Sequence, residues 1–440
     1  MKNHTLSILP GINKIVTAHF CNTTARICGF VKRSTSRLNG YEFVKSMILA
    51  TGSDTLFTIN LRCKAFNSNS EMSDQALAQR INTEAAVNLM QACFGRCLKS
   101  VYRIEKASLK PDIIKRILIQ DSTCLELNKN LAEFYAGSSG AASKAAIKID
   151  CIYDFTNEKI LDIQHFSRNF NDHNNGKKIF NHLRKGDLVL RDLGYINLEE
   201  LEEIDKNDSY YISRYKSNLK IYLKKEDSTP LNILEFIKKK LKHKECLDRE
   251  IYLGKKKLKT RIVILKLPDE VVNERLRKAH REAQRARSTL SELKKALLSY
   301  TIFITNLSSE KYSYKDLCLL YRVRWRIELL FKEWKSQLNI KNITGKNIHR
   351  INCLIYSRLC LILLMNQFIS CLSVRALELY ERELSIKRAL DIFFNENIRR
   401  SFFSKTIFFD DWGDQALKRL LKDKRNRKTT LEKLMERKVV

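Results

Sequence analysis

The most constraining feature of this chain is a succession of short apolar runs that begins near residue 113. Each run has the length and β-branched content of a strand or the spacing of a helix, and turn residues separate the runs. Seven segments occur in the order β-β-β-α-β-α-β, over residues 117–119, 146–155, 160–166, 174–183, 188–190, 198–204 and 210–215. This order predicts an α/β fold, in which helices flank a mixed sheet.

The regions on either side of this core are predicted to be helical. In the N-terminal region, residues 1–105, Ser73 is expected to cap a helix over 74–81, and Asn82-Thr83 separates it from a second helix over 84–97. This pair fits a DNA-binding helix-turn-helix and an ordinary helical hairpin equally well. Residues 341–440 form a C-terminal region with a basic tail at 418–438, suited to dimerisation or DNA contact.

Residues 217–300 interrupt the alternation of strands and helices and are interpreted as an insertion domain. The segment 238–261 carries eleven Lys and Arg against three acids, and a charged helix is expected over 270–298. This density of positive charge fits a surface for DNA phosphates as well as it fits a solvated face. A strand at 302–305 and a long helix over 314–338 come next.

The net charge favours nucleic acid as the partner. The chain has 81 Lys and Arg against 49 Asp and Glu, a formal charge of +32. Such an excess attracts polyanions, and membrane surfaces and acidic proteins are the alternatives. The Lys-, Asn- and Ile-rich composition is also typical of AT-rich genomes, which would raise the basic count without any partner.

Neither a membrane span nor a framework of disulfides or zinc is expected. The most apolar stretch, residues 351–374, is interrupted by Asn352, Arg358 and Asn366 and so falls short of the ~18 uninterrupted apolar residues of a span. No apolar signal core precedes Pro10. The 12 cysteines are scattered singly, as in the reduced core of a cytoplasmic protein.

The helix over 314–338 combines an apolar face with a narrow polar line. At about 100° per residue, Tyr321, Arg324, Glu328 and Lys335 fall within a sector about 60° wide. The apolar face must dock on the core, so the polar line lies at the edge of the buried surface. There Glu328 can meet groups from the sheet.

Two aspartates come directly after apolar strands, Asp121 after 117–119 and Asp192 after 188–190. Open α/β sheets place their sites at such strand ends. Alone, each aspartate is better explained as a turn or capping residue, and Glu328 as a solvated helix acid. Three carboxylates that converge from two strands and a helix would supply the oxygen ligands that Mg²⁺ prefers. Two such ions about 3.5–4 Å apart can activate the attacking oxygen and stabilise the leaving oxygen at a phosphodiester.

These residues also carry a resemblance to a known family. The run Tyr321-x2-Arg324-x3-Glu328-x6-Lys335, within YRVRWRIELLFKEWK, resembles the YREK signature of bacterial DDE transposases of the insertion-sequence family usually called four. The segments ILIQDST, LVLRDLGYI and IFITNL are similar to the family's first-Asp strand, its second-Asp strand and the strand before the signature helix. The resemblance covers about residues 113–340. It implies a ribonuclease-H-like catalytic domain over 106–340, with a β-rich insertion like that placed at 217–300.

The resemblance implies a role for each matching residue. Asp121, Asp192 and Glu328 become the catalytic triad that binds two Mg²⁺ ions, for which Mn²⁺ would substitute. Tyr321, Arg324 and Lys335 become the groups that hold phosphates at the transposon end, which suits a donor hydroxyl, a guanidinium fork and a point charge.

Three further residues are assigned to DNA with less support. Trp325 lies beside the polar line and is a candidate for stacking on a flipped base, with buried packing as the alternative. Arg214 and Lys216 stand at the end of the strand 210–215 and are DNA-backbone contacts by position only.

The sequence therefore predicts a DNA transposase of the bacterial cytoplasm. It would bind the terminal inverted repeats of an insertion sequence, bring two ends of double-stranded DNA together as a homodimer, and catalyse metal-dependent hydrolysis and strand transfer. Two alternatives remain open: a non-catalytic, transposase-derived DNA-binding protein, and a ribonuclease-H-like nuclease that cleaves without joining.

Overall fold

The computed structural model describes residues 15–49, 55–67, 72–99, 113–137, 144–157, 159–167, 175–241, 245–285, 287–337, 343, 346–393 and 413–422. The chain divides into two compact units. The first comprises residues 1–107, 122–170 and 327–426, and the second comprises residues 108–121, 171–326 and 427–440.

Nine strands hydrogen-bond into one mixed sheet. They are β1 (Arg116–Glu126), β2 (Ala146–Asp154), β3 (Lys159–Ser167), β4 (Asp187–Arg191), β5 (Tyr210–Arg214), β6 (Ile221–Tyr222), β7 (Cys246–Leu253), β8 (Leu258–Lys266) and β9 (Tyr300–Thr305). Their order in the sheet is β3-β2-β1-β4-β5-β9-β8-β7-β6. The pairs β1/β4 and β4/β5 are parallel, whereas β2/β3 and the pairs from β5 to β6 are antiparallel. The predicted α/β class, in which helices flank a mixed sheet, is confirmed.

The described α-helices account for the remaining regular structure. They are α1 (Ala18–Ile27), α2 (Gly40–Leu49), α3 (Leu56–Phe66), α4 (Asp74–Ile81), α5 (Glu84–Lys99), α6 (Leu198–Lys206), α7 (Ile233–Lys240), α8 (Asp269–Arg285), α9 (Glu292–Leu297), α10 (Tyr314–Arg322), α11 (Trp325–Gln337), α12 (Ile348–Tyr380), α13 (Ile386–Phe393) and α14 (Gly413–Leu420). Ser73 caps α4 as expected, since its side chain accepts a hydrogen bond from the Ala76 amide.

Two predicted helices differ from the expectation. The segment 174–183 contains a short 3-10 helix, Gly176–Asn181, where an α-helix was expected. The charged helix predicted over 270–298 is two helices, α8 and α9, because Arg287 adopts a left-handed φ of 50° between them. A left-handed residue cannot continue an α-helix.

The segment interpreted as an insertion extends the sheet of the second unit. Its strand β8 pairs with β9 from Arg261↔Thr305 to Lys266↔Tyr300, and β9 pairs with β5. The functional division into an N-terminal DNA-binding region, a catalytic domain and a C-terminal region stays a prediction. Most of the basic tail at 418–438 lies outside the described residues.

In the first unit, the long helix α12 lies in the core. By length and composition it could cross a membrane, yet 94% of its most apolar window is buried within the protein. It packs against α5 and α2. Polar residues that interrupt it find partners in the same unit: Tyr135 Oη donates to Asn352 Oδ1 at 2.5 Å, and Ser357 Oγ donates to the Met47 carbonyl at 2.6 Å. Such burial and bonding are typical of a core helix.

A buried ion pair fixes the register of β1 against β4. Arg116 and Asp187 lie opposite each other at the start of the two strands, and Arg116 donates through Nε at 2.9 Å and through Nη2 at 2.6 Å. The Asp187 side chain is 1% exposed and also accepts from the Arg184 amide. A slip of one residue would turn every side chain to the other face. This pair therefore determines which residues stand level with each other at the far ends of both strands.

We predict that Asp187→Asn lowers the free energy of unfolding by about 3–5 kcal/mol, since it leaves the Arg116 guanidinium without its bidentate partner. Urea denaturation monitored by circular dichroism measures the change. The matched control is Asp208→Asn, which breaks the exposed Lys185–Asp208 pair and should change the free energy of unfolding far less, because water screens that pair. Equal effects of the two substitutions would contradict the role of Asp187.

Candidate active site

Asp121 and Asp192 lie side by side in the second unit. The parallel register of β1 and β4 ends at Gln120↔Arg191, and each aspartate is the next residue of its chain segment. Adjacent strands are about 4.8 Å apart, so the two carboxylates start from neighbouring positions. The prediction that Asp121 ends its strand is wrong, because β1 continues to Glu126. Asp121 instead marks the point where pairing with β4 stops.

Buried polar contacts hold the backbone just before Asp192. Arg191 donates from Nη1 to Glu200 Oε2 on α6 at 2.5 Å and from Nη2 to the Gly176 carbonyl at 2.5 Å. The Arg191 and Glu200 side chains are 6% and 2% exposed. Asp192 itself is exposed, and its side chain does not cap the 3-10 turn that begins at the next residue. Its carboxylate is thus presented from a rigid support.

The signature helix is broken inside the motif. The single helix predicted over 314–338 is two helices, α10 and α11, separated by a turn at Val323 and Arg324. Across the turn, amides bond three residues back, from Val323 to Leu320, from Arg324 to Tyr321 and from Arg326 to Val323. Such bonds tighten the backbone to a 3-10 turn. The polar line calculated for one continuous helix is therefore divided: Tyr321 belongs to α10, Arg324 to the turn, and Glu328 and Lys335 to α11.

The turn places the Arg324 side chain beside Asp121. Arg324 Nη1 lies 3.1 Å from Asp121 Oδ2, and the two side chains are 11% and 14% exposed. A pair that is this well shielded from water is stronger than a surface ion pair. Arg324 therefore neutralises the Asp121 carboxylate in this structure.

Tyr321 is a buried residue of α10 that lies beside Arg324. Its ring packs on Phe303 of β9 at 5.0 Å, and the Arg324 guanidinium lies 5.8 Å from its centre. Burial raises the pKa of the Tyr321 hydroxyl, the charge of Arg324 opposes this shift, and Asp192 adds to it. The hydroxyl is buried, and no acceptor for its hydrogen lies within the described residues. It is a protonated donor without an acceptor.

A buried arginine positions the start of α10. Arg261 of β8 pairs with Asp248 of β7 through Nε at 2.7 Å and Nη2 at 2.6 Å. Its Nη1 donates to the carbonyls of Leu307 and Tyr312, which precede α10. Although Arg261 was counted in the basic run that fits DNA phosphates, it is 5% exposed and structural.

The remaining predicted residues occupy less constrained positions. Glu328 is half-buried in the first turn of α11, and Lys335 is exposed near the end of that helix. Trp325 is 60% exposed, so the alternative of buried packing is wrong. Arg214 ends β5, and Lys216 lies beyond it in an exposed loop.

The two aspartates suit a magnesium ion. Within the described ranges, no three His, Cys, Asp or Glu side chains form a group that could hold a metal ion, and the triad with Glu328 stays a prediction. One or two carboxylates are nevertheless enough for Mg²⁺, which keeps several waters and binds substrate phosphates. Asp121 and Asp192 supply such oxygens at one edge of the sheet, and a cation bound there would compete with Arg324 for Asp121.

Two supporting residues, Arg191 and Glu200, were not predicted from the sequence. A signal for Arg191 was present, since a charged residue inside the apolar strand before Asp192 needs a buried partner. No local signal identifies Glu200 as that partner, because helix acids are normally solvated.

We predict that Gly176→Ala disturbs this support. A Cβ at Gly176 would lie 2.5 Å from Glu200 Oε2 and 2.6 Å from Oε1, so the buried ion pair must shift. Overpacking of this kind costs about 1–3 kcal/mol, measurable by urea denaturation. The control is Gly95→Ala in α5, where an added Cβ meets nothing within 4 Å. That variant should be as stable as the parent or about 1 kcal/mol more stable.

We also predict that Tyr321→Phe raises the free energy of unfolding by about 1 kcal/mol, because it removes a buried hydroxyl that has no acceptor. Tyr211→Phe is the matched control and should lower it by about 1 kcal/mol, because the Tyr211 hydroxyl is hydrogen-bonded to that of Thr260. Thermal unfolding distinguishes the two, and a loss of stability in Tyr321→Phe would contradict the assignment.

Comparison with known proteins identifies the family of this chain. A family model described as Transposase DDE domain matches residues 113–364. The transposase for insertion sequence element IS231B of Bacillus thuringiensis subsp. berliner is 31% identical over 395 residues, which cover 85% of this chain and 82% of the relative.

Two further transposases and one solved structure are also similar to this chain. The IS231E transposase of Bacillus thuringiensis subsp. finitimus is 32% identical over 86% of this chain and 83% of its own length. The IS1151 transposase of Clostridium perfringens is 30% identical over 80% and 76%. A cryo-EM structure of the piggyBac transposase synaptic complex with hairpin DNA aligns with a TM-score of 0.46 and 11% identity, over 95% of this chain and 85% of that one. With a domain match over more than half of its length and relatives at this identity, the chain belongs to the DDE-domain transposases of insertion sequences.

Proposed function

We propose that this transposase cuts DNA at the terminal inverted repeats of its own element and joins the freed ends to target DNA. The observation that carries the proposal is the in-register placement of Asp121 and Asp192, with Arg324 bound to the first of them. Carboxylates beside a guanidinium and an unbonded tyrosine hydroxyl suit a site that takes both a hard cation and a phosphate.

In this proposal Asp121, Asp192 and Glu328 hold Mg²⁺, two ions in the full site, with Mn²⁺ as a substitute. The metal would activate the attacking oxygen and stabilise the leaving oxygen of the phosphodiester. Arg324 orients the scissile phosphate with its guanidinium fork. The raised pKa of Tyr321 keeps its hydroxyl protonated, so that it donates to a phosphate oxygen.

The other assigned residues contact DNA away from the reacting phosphate. Lys335 and Lys216 are exposed cations that neutralise backbone charge, and Arg214 does so at the end of β5. The exposed indole of Trp325 is available for stacking on an extruded base. Two copies of the chain bring two DNA ends together as a homodimer in the bacterial cytoplasm.

We predict that Asp121→Asn, Asp192→Asn and Glu328→Gln each reduce Mg²⁺-dependent nicking of a labelled terminal-repeat duplex by about 100-fold or more, because each removes an anionic ligand. DNA binding without metal should persist. Glu333→Gln, the same change on α11, is the matched control and should nick at the rate of the wild type. Wild-type nicking by any of the three variants would refute the assignment of that residue.

The two alternatives have distinct outcomes in the same assay. Binding of the duplex without nicking in Mg²⁺ or Mn²⁺ would favour the non-catalytic DNA-binding protein. Nicking without joining of pre-cleaved ends to a target plasmid would favour the nuclease.

A further inference from the structure

Helix α8 brings an arginine to the start of β9. Arg275 Nη1 donates to the Tyr300 carbonyl at 3.1 Å, and its Nη2 donates to Thr301 Oγ1 at 3.2 Å. The rest of α8 is strongly polar, and none of its residues is buried. Arg275 is therefore the point at which this charged helix is tied to the sheet.

The register of the sheet shows which face Arg275 occupies. Leu190 of β4 lies opposite Ile212 of β5, so two residues later Asp192 is level with Arg214. Arg214 in turn lies opposite Phe303 of β9. Opposed residues point to one face, and residues two apart on a strand also share a face. Thr301, two residues before Phe303, therefore points to the face where Phe303 contacts Tyr321. Arg275, bonded to the Thr301 hydroxyl, is on the face of the candidate active site.

The charges of Arg275 and Arg214 are not neutralised there. Neither guanidinium has a carboxylate within ion-pair distance in the described ranges of the chain. Burial lowers the pKa of Arg275, and the like charge of Arg214 lowers it further. Two neighbouring cations that repel each other are stabilised by an anion placed between them.

Arg275 also has donors to spare. A guanidinium carries five N–H groups in a rigid fork, and the bonds to Tyr300 and Thr301 use two of them. The remaining donors suit a group that accepts several hydrogen bonds, as a phosphate does. The Tyr300 carbonyl and the Thr301 hydroxyl are uncharged acceptors, so they orient the Arg275 guanidinium without neutralising its charge.

We propose that Arg275 and Arg214 form a clamp for a backbone phosphate of the DNA strand that enters the site. This inference rests on the proposed function, because it names where the substrate strand runs next to the reacting phosphate. Two strand spacings of about 4.8 Å separate β4 from β9. Because Arg214 stands on β5, one spacing from β4, and Arg275 is bonded to β9, the clamp spans the positions about 5 to 10 Å from Asp192 across the sheet.

The test is the salt dependence of DNA binding by the full chain without metal, measured by fluorescence anisotropy with a labelled DNA duplex of mixed sequence. Arg275→Gln should weaken binding and reduce the slope of log K against log salt by about one, since one phosphate contact is lost. Arg275→Lys should keep the slope and weaken binding less, because the charge remains but the fork does not.

Arg277→Gln is the matched control, since it removes the same charge from an exposed position two residues along α8. It should leave the slope unchanged. Equal effects of Arg277→Gln and Arg275→Gln would show that only bulk charge matters and would overturn the clamp, as would an unchanged slope in Arg275→Gln.

Arg214→Gln provides a second variant if Arg275→Gln unfolds at a lower temperature than the wild type. It should reduce the slope by about one, and the double variant should lose less binding than the sum of the single losses, because both residues hold one phosphate. If the loss of binding free energy in the double variant equalled the sum of the two single losses, the shared clamp would be overturned. Because no metal is present, these outcomes are independent of nicking: absent nicking in Mg²⁺ would refute the proposed function and leave the clamp to be judged on binding alone.

Discussion

The candidate active site depends on the parallel register of β1 and β4. At one end the register is held by the bidentate pair between Arg116 and Asp187, and near the other end the buried bond from Arg191 to Glu200 ties β4 to α6. Between these pairs every side chain of β4 is buried, so β4 cannot slide without exposing apolar surface and separating two ion pairs. The adjacency of Asp121 and Asp192 is thus a consequence of interactions several residues away from either carboxylate. Preorganisation of this kind spares a catalytic site the cost of assembling its acids when the substrate binds.

The break between α10 and α11 gives the signature motif its geometry. In a continuous helix, the helical periodicity alone would fix the direction of the Arg324 side chain relative to that of Tyr321. The 3-10 turn instead lets α10 pack Tyr321 on Phe303 while Arg324 pairs with Asp121. The start of α10 is in turn held by Arg261 through the Leu307 and Tyr312 carbonyls. A motif that is contiguous in sequence is therefore distributed over two helices, which are positioned by different contacts.

Local patterns predicted much of this structure and missed its long-range pairs. The succession of strands and helices along the chain, the cap at Ser73 and the strand that ends just before Asp192 are predictable from alternation, capping chemistry and turn residues, which are encoded within a few neighbouring positions. The helix break could not be predicted in this way, because the apolar spacing continues through Val323 and only the contact of Arg324 with β1 distinguishes the two helices. Two other contacts could not be predicted either, because they join residues far apart in the sequence. They are the pair of Arg116 with Asp187, 71 residues away, and the bond of Arg275 to β9. A single sequence shows a cation but does not show what lies opposite it.

The positive charge of the chain can now be divided by what each cation does. Arg116 and Arg191 are neutralised by buried acids and Arg261 by the more exposed Asp248, so these three arginines contribute to the fold rather than to the external field. Arg324 is paired with Asp121, a residue proposed to have another partner, whereas Arg214 and Arg275 meet no carboxylate in the part of the chain that is described. Two aspartates alone would repel a phosphodiester, and three arginines alone would repel a divalent cation. In the proposed site the two kinds of charge lie together, so that the cation and the phosphate would each relieve the repulsion that the other meets, and metal and DNA binding should reinforce each other.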